Sequence, residues 1–268
     1  MKFKKLILAI GIGLSMMMAG CGTDSKDSGN SSESREIQVI KDRGVLKVGV
    51  KVDVPKFGYK NASTGEIEGF EVDLSKQVAK KIFGEENKIE LQGVTAKTRG
   101  PLLDNGEVDM VAATFTITEE RKKSYNFSDT YLKDGVGLLV KKSLGASSLK
   151  DLDGKTVGVA QSSTTKVALE DEASKQGVKL KFSEFGSYPE IKAALDSSRV
   201  DCFAVDASIL NGYVDDSTVI LDDRYNPQEY GIASKKENTE LAKLINEVVN
   251  DMKISGEMDK LIQKWEIK

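Results

Sequence analysis

An α/β fold of two lobes is the architecture this sequence predicts, and three observations predict it. The string Leu103-Asp104-x-x-x-Val108-Asp109-x-x-Ala112 recurs as Leu195-Asp196-x-x-x-Val200-Asp201-x-x-Ala204. A strand-like Val-Gly-Val stands upstream of each copy, at 48–50 and at 157–159. In each half the patterns follow one order: strand, loop, helix, strand, short helix, strand. Alternating β and α elements with apolar strands imply parallel sheets covered by helices, and two such units imply two lobes. Ligands of open sheets sit beyond the carboxyl ends of the strands. If those ends face each other, the cleft between the lobes is the site. One continuous sheet with a coincidental repeat is the alternative reading.

The elements are justified in chain order. Lys2, Lys4 and Lys5 precede an apolar run from Leu6 to Leu14. That run is shorter than the ~20 apolar residues a membrane-spanning helix needs, and it fits an export signal over residues 1–20. The segment ends Met18-Ala19-Gly20-Cys21, which resembles the lipobox of bacterial lipoproteins. That resemblance implies cleavage before Cys21, a diacylglycerol on its thiol, and an extracytoplasmic protein held on the cell membrane. More than one acyl chain is what stable attachment requires. The remainder of 21–35, GTDSKDSGNSSESR, has no large apolar side chain and reads as a flexible tether. No later stretch approaches the length of a membrane span.

Phe70, Leu74, Val78 and Ile82 recur every four residues, with Glu71 and Asp73 at the start and Gly84 at the end, an amphipathic helix. Pro101 suits the first turn of a short helix, and Val108 to Phe115 reads as an apolar strand. The second half answers with a helix from about Thr164 to Gln176 closed by Gly177, then a strand near Val178 to Phe182. A helix around Pro189 to Leu195 and a strand from Val200 to Val205 complete it.

Composition removes several functions. The chain has no histidine, so Ser-His-Asp and Cys-His nucleophilic sites and most zinc sites are absent, and no metal or cofactor is implied. With the leader removed, 36 basic residues face 42 acidic ones, a net charge of −6, which argues against a nucleic-acid surface. Of two cysteines, Cys21 goes to lipid, so no intrachain disulfide can form. Cys202, in the apolar run Val200 to Val205, reads as a buried inert thiol, with a reactive thiol as the alternative.

Five segments then stand in order: Gly-Phe-Glu-Val-Asp-Leu (69–74), Thr-Ile-Thr-Glu-Glu-Arg (116–121), Asn-Phe-Ser-Asp (126–129), Leu-Lys-Asp-Leu-Asp-Gly-Lys-Thr-Val-Gly-Val (149–159) and Tyr-Gly-Ile-Ala (230–233). Together they resemble the polar-amino-acid solute-binding proteins of ABC importers, from about residue 37 to Lys268. The resemblance implies a periplasmic-binding-protein-like (type II) fold with two crossover hinge strands. By match to the family pattern these fall at 131–135 and 227–231, with lobe one at 36–130 plus 232–268 and lobe two at 136–226. It further implies a monomer that closes on a free amino acid by hinge motion and delivers it to permease subunits in the membrane.

An amino acid offers a carboxylate, an ammonium and a side chain. Arg121 lies in the first turn of a helix begun by Thr118, where a cation opposes the helix dipole. A guanidinium fork aimed at a carboxylate explains that placement, and the resemblance assigns Arg121 the ligand α-carboxylate; a surface ion-pair partner is the alternative. Thr114 and Thr116, at a strand end, resemble the family's contacts to carboxylate and ammonium. Ser163, Thr164 and Thr165, at a helix start that suits anions, are expected to close on the carboxylate, with an ordinary helix cap as the compatible alternative. The resemblance makes Asp206 the acid that takes the ammonium, Tyr230 a hydrogen-bonding lid and Phe57 an aromatic wall; Phe57 also reads as core.

Specificity is expected to rest on Arg99 and Lys51. Thr98-Arg99-Gly-Pro-Leu-Leu resembles the segment of acidic-amino-acid binders, where the arginine meets the side-chain carboxylate. Lys51 ends the first strand at the same cleft mouth, or is a plain surface lysine. Three cations against Asp206 alone leave +2, which suits aspartate or glutamate and repels lysine or arginine. Glutamine is the alternative ligand, because Arg99 can donate to an amide oxygen. Two other classes compete: an enzyme dehydrating cyclic acids, known on this fold, and a surface adhesin. The amino-acid reading needs no catalytic residue.

Overall fold

In the computed structural model, which describes residues 35–267, the two Val-Gly-Val segments lie in two separate open sheets. The first sheet has the order β5-β1-β6-β14-β7, built from β1 (Leu46–Val50), β5 (Ile89–Gly93), β6 (Met110–Ala112), β7 (Tyr125–Phe127) and β14 (Ala233–Lys235). The second has the order β10-β9-β11-β8-β12, built from β8 (Leu132–Lys141), β9 (Thr156–Ala160), β10 (Lys181–Phe185), β11 (Cys202–Asp206) and β12 (Thr218–Ile220). Strand β13 (Tyr225–Tyr230) joins this sheet through β8, and its Tyr230 also bridges to Thr116 beyond the first sheet's β6. A three-stranded patch of β2 (Asp53–Val54), β3 (Gly58–Lys60) and β4 (Ile67–Glu68) follows β1.

The Leu-Asp repeat has a physical reason. Asp109 Oδ2 accepts the backbone N–H of Lys47, and Asp201 Oδ2 accepts that of Thr156, each at 2.8 Å. Each aspartate thus satisfies the first free N–H at the entrance of its lobe's Val-Gly-Val strand. Leu103 and Leu195, six positions earlier in each copy, are fully buried. The central glycines have matching roles. A Cβ on Gly49 would lie 3.2 Å from the side chains of Val111 and Val94, and one on Gly158 only 2.6 Å from Ile191. In the first lobe the missing side chain leaves room for the valines of the same sheet, and in the second for α6.

Nine helices are described: α1 (Arg35–Arg43), α2 (Phe70–Phe83), α3 (Arg99–Asp104), α4 (Glu119–Ser124), α5 (Thr165–Gln176), α6 (Tyr188–Asp196), α7 (Ala207–Leu210), α8 (Thr239–Ser255) and α9 (Glu257–Lys264). Helix α2 buries Phe70, Leu74, Val78 and Ile82 and stops where Gly84 turns left-handed. It starts at Gly69, whose φ of 147° and near-contact with the Phe57 carbonyl admit no side chain. Strand alternation sets the faces. Leu46, Val48, Val50, Met110 and Ala112 face the core shared with α2 and α8, while Val111 and Ala113 face the α3 side. In the second lobe Phe203 and Val205 face α6, and Cys202 and Ala204 face the α5 side. Cys202 is fully buried and burial pushes its thiol up, which fits the inert reading.

The expected helices and parallel pairings are present, with shifts. The strand expected near 178–182 runs 181–185, and the run 108–115 keeps only three residues of strand before the chain turns. Sequence periodicity does not mark α1, α7, the β2–β4 patch or β12. Strand β13 runs antiparallel to β8, pairing Leu132 with Tyr230 and Asp134 with Gln228. The chain therefore passes twice, side by side, between the two sheets. Residues 1–20, Cys21 and the segment to residue 34 lie outside the described residues. Among those described, no helix is long and apolar enough to cross a membrane.

Candidate functional site

Two strand ends meet across the gap between the sheets. Two residues beyond β6, Thr114 adopts φ 46°, and two residues beyond β9, Ser162 adopts φ 60°. Left-handed backbone is costly for residues other than glycine, and here it recurs at equivalent places in both lobes. The turn at Thr114 is held from both sides. Its N–H donates to Glu71 Oε1 at 2.6 Å, and its carbonyl accepts from Arg99 Nη1 at 2.9 Å. Arg99 Nη1 also donates to the Ala113 carbonyl at 2.7 Å.

Arg121 sits on α4 as the helix start implied: Thr118 caps the helix and its Oγ1 accepts the Arg121 N–H at 3.1 Å. The guanidinium points back into the gap. Nη1 donates to the Thr116 carbonyl at 2.7 Å and Nη2 to the Ser162 carbonyl of the other lobe at 3.1 Å. The Phe115 ring lies under both guanidiniums, with its centroid 4.1 Å from Arg99 Cζ and 4.8 Å from that of Arg121. That cation–π seat holds two like charges side by side. Burial lowers both pKa values, and the Arg99 charge lowers that of Arg121 further, yet an arginine stays protonated.

Lys51 is 1% exposed. Its Nζ lies 3.0 Å from Asp53 Oδ1 and 4.4 Å from the centroid of the Tyr188 ring on α6 in the second lobe. Burial lowers its pKa and Asp53 opposes the change. Tyr213 of the second lobe donates its hydroxyl to the Asp53 carbonyl. The plain surface reading of Lys51 is thereby excluded: it is a cleft residue shared between lobes.

Asp206 ends β11 and starts α7, buried, with Tyr230 donating its hydroxyl to Oδ2. Burial raises its pKa to about 7; the Tyr230 bond, Arg99 and Arg121 pull it down and Asp134 pushes it up. Tyr230 is fully buried and stacks edge-on against Phe57, which in turn meets Phe70 edge-on. Phe57 is thus core and cleft floor at once. In the second lobe Ser163 Oγ donates to the Ala160 carbonyl at 2.7 Å and Thr165 is buried. Thr164 stands at the start of α5 without capping it; its hydroxyl instead donates to Gln228 Oε1 at 2.7 Å. The α5 amino terminus therefore keeps free N–H groups beside Arg121's contact at Ser162.

Of the residues named from the sequence, Lys51, Arg99, Thr114, Thr116, Arg121, Thr164, Asp206 and Tyr230 are tied into this region by side-chain contacts, Phe57 packs on Tyr230, and Ser163 and Thr165 lie on the turn that opens α5. The sequence reading missed the groups that hold them. Asp53 pairs Lys51, Phe115 seats both arginines, Tyr188 lies over Lys51, and Gln228 takes two threonine hydroxyls. By sequence Glu71 is a favourable first-turn acid of α2. It is 0% exposed, accepting from Thr114 N–H and the Tyr131 hydroxyl, and burial raises its pKa. Its Oε2, Arg99 Nε and Thr114 Oγ1 are buried without a partner in the protein. Unpaired buried polar atoms are costly, and three around one residue mark where a polar ligand group fits. Among the described residues no acid, cysteine and histidine cluster has metal-ligand spacing.

The model of the bacterial extracellular solute-binding proteins, family 3, matches residues 46–268. The ABC transporter glutamine-binding protein GlnH of Bacillus subtilis (strain 168) is 40% identical over 255 residues, covering 93% of this chain and 92% of that protein. The glutamine-binding protein of Geobacillus stearothermophilus is 42% identical over 238 residues, covering 84% and 89%. Among solved structures, an ancestral arginine-binding protein bound to glutamine superposes with a TM-score of 0.75 at 38% identity, covering 84% of this chain and 99% of that one.

Proposed function

The chain belongs to the bacterial extracellular solute-binding proteins, family 3, and from that premise we propose that it captures glutamine for an amino-acid ABC importer. The observation that carries the choice of ligand is what the cleft cations already hold. Three cations against one acid argued for aspartate or glutamate. Lys51, however, is paired with Asp53 and Arg99 spends one nitrogen on two carbonyls and faces buried Glu71. Lys51, Arg99 and Arg121 each have an acid in reach, Asp53, Glu71 and Asp206, so the three cations are not all left over for a second ligand carboxylate, and a net-neutral zwitterion matches the cleft. An amide also supplies both a donor for Glu71 Oε2 and an acceptor for Arg99 Nε, whereas a second carboxylate brings only acceptors. The two glutamine-binding relatives support the same ligand.

In this reading Arg121 and the α5 amino terminus, with Ser163, Thr164 and Thr165 on that turn, take the α-carboxylate. Asp206 and Thr116 take the ammonium, Tyr230 and Phe57 close over and under the carbon chain, and Arg99 with Thr114 faces the side-chain amide. Lys51 joins the lobes through Tyr188 rather than touching ligand. The lobes are 36–130 plus 232–268 and 136–226, with hinges at 131–135 and 227–231. Cys21 carries the lipid and the protein works as a monomer outside the membrane, with permease subunits as its partner.

Calorimetric titration of residues 22–268, unfolded and refolded to strip carried-over ligand, against each amino acid tests this. Tight glutamine binding with aspartate and glutamate at least tenfold weaker is expected. Preference for an acidic ligand would return the charge argument to its sequence form, and silence across the panel would reopen the dehydratase and adhesin readings.

A further inference from the structure

Gln228 is a buried, uncharged side chain on β13, a strand whose neighbouring residues Asn226 and Pro227 are exposed. Its Nε2 donates to the Asn226 carbonyl at 2.8 Å, which fixes the amide with its nitrogen toward its own strand. Oε1 therefore faces the other way, and it is the acceptor for two hydroxyls, Thr116 at 2.8 Å and Thr164 at 2.7 Å. An amide oxygen has two lone pairs, so both are taken. One threonine follows β6 of the first sheet, the other opens α5 against the second sheet, and Gln228 lies on the strand that pairs with β8 between them.

We propose that Gln228 is a positioning residue of the amino-acid site: it commits the hydroxyl protons of Thr116 and Thr164, so that both oxygens face the ligand only as acceptors, and it does so only when the lobes are closed. A hydroxyl has one proton. With that proton on Gln228, neither threonine can donate to a carboxylate, and both can accept from an ammonium. This reassigns the Thr164 hydroxyl: the α5 backbone N–H groups serve the carboxylate and the side chain serves the ammonium beside Asp206. It also ties ligand polarity to closure, because the one acceptor holds Thr116 after β6 of the first sheet and Thr164 at α5 against the second, and separating the lobes breaks one of the two bonds. The inference rests on the amino-acid reading of the cleft.

A double-mutant cycle tests it. Gln228→Met keeps the length and removes the acceptor; Thr164→Val removes the hydroxyl at equal volume. Each is expected to weaken glutamine binding about tenfold, and the double variant to bind no worse than the weaker single, since both remove one linkage. A merely structural glutamine gives additive losses, and additive losses, or an unchanged affinity in Gln228→Met, overturn the proposal. A readout on the unaltered protein stands beside the cycle and covers a variant that does not fold. Proton NMR is expected to find the Thr116 and Thr164 hydroxyl protons in slow exchange, and exchange at solvent rate overturns the proposal. If wild-type protein binds no amino acid, the ligand reading fails by itself, and the hydroxyl protons still decide the Gln228 network.

Discussion

Acidification separates the two roles of Asp206, and the sign of each follows from its surroundings. Burial raises its pKa to about 7 in the ligand-free cleft, against an unperturbed value near 3.8. Only the ionised carboxylate attracts an ammonium. Between pH 5 and 7 glutamine itself has no titrating group, so the apparent affinity should fall about tenfold for each pH unit below 7. At pH 5 it should be on the order of 100-fold weaker than the plateau reached above pH ~8. Stability runs the other way. A carboxyl whose folded pKa is raised contributes stability that is fully present below its unfolded pKa and is lost as pH rises through the folded value. Relative to Asp206→Asn, the ligand-free protein should thus lose on the order of 4 kcal/mol between pH ~4 and pH ~7, at about 1.4 kcal/mol per unit. Tyr230, Asp134, Arg99 and Arg121 face the group and set where the change falls. The assay is calorimetric titration of glutamine across this range, with chemical denaturation of the ligand-free protein at the same pH values. A flat affinity profile in the wild type, or an equal slope in Asp206→Asn, would refute the assignment of Asp206 to the ammonium.

Three further outcomes are expected. Arg121→Ala removes the carboxylate fork and its link to Ser162, and should weaken binding by about 2–5 kcal/mol by calorimetry, with little change in melting temperature because α4 contributes no residue to the hydrophobic core. Glu71→Gln keeps the acceptor for Thr114 and Tyr131 but removes a buried negative charge near Arg99; the glutamate-to-glutamine affinity ratio should move about tenfold toward glutamate in competition titrations. Gly158→Ala forces a methyl to 2.6 Å from Ile191, and denaturant unfolding should show a loss of about 1–3 kcal/mol while the ligand ranking stays fixed.

The sequence by itself determined what depends on local pattern. The four-residue period fixed α2, the Thr118 cap placed Arg121 in a first turn, and the apolar run before Asp206 set that acid at a strand end. The paired Leu-Asp repeats announced two like units, because each unit needs the same aspartate to satisfy the same strand N–H. Only the tertiary structure decided how those groups are used. Counting charges along the chain could not find that Lys51 is neutralised two residues away and roofed by Tyr188 from the other lobe. Nor could it find that Glu71 is drawn out of a solvent-favoured helix start into full burial under Thr114. Periodicity gives no sign of Gln228 either, since it stands among Asn226, Pro227 and Glu229 in a short polar strand that reads as surface. The reason is common to all three. Pattern within an element reports which face is apolar, whereas the charge and hydrogen-bond state of a cleft depend on distances between residues far apart in sequence, and those exist only once two lobes are brought together.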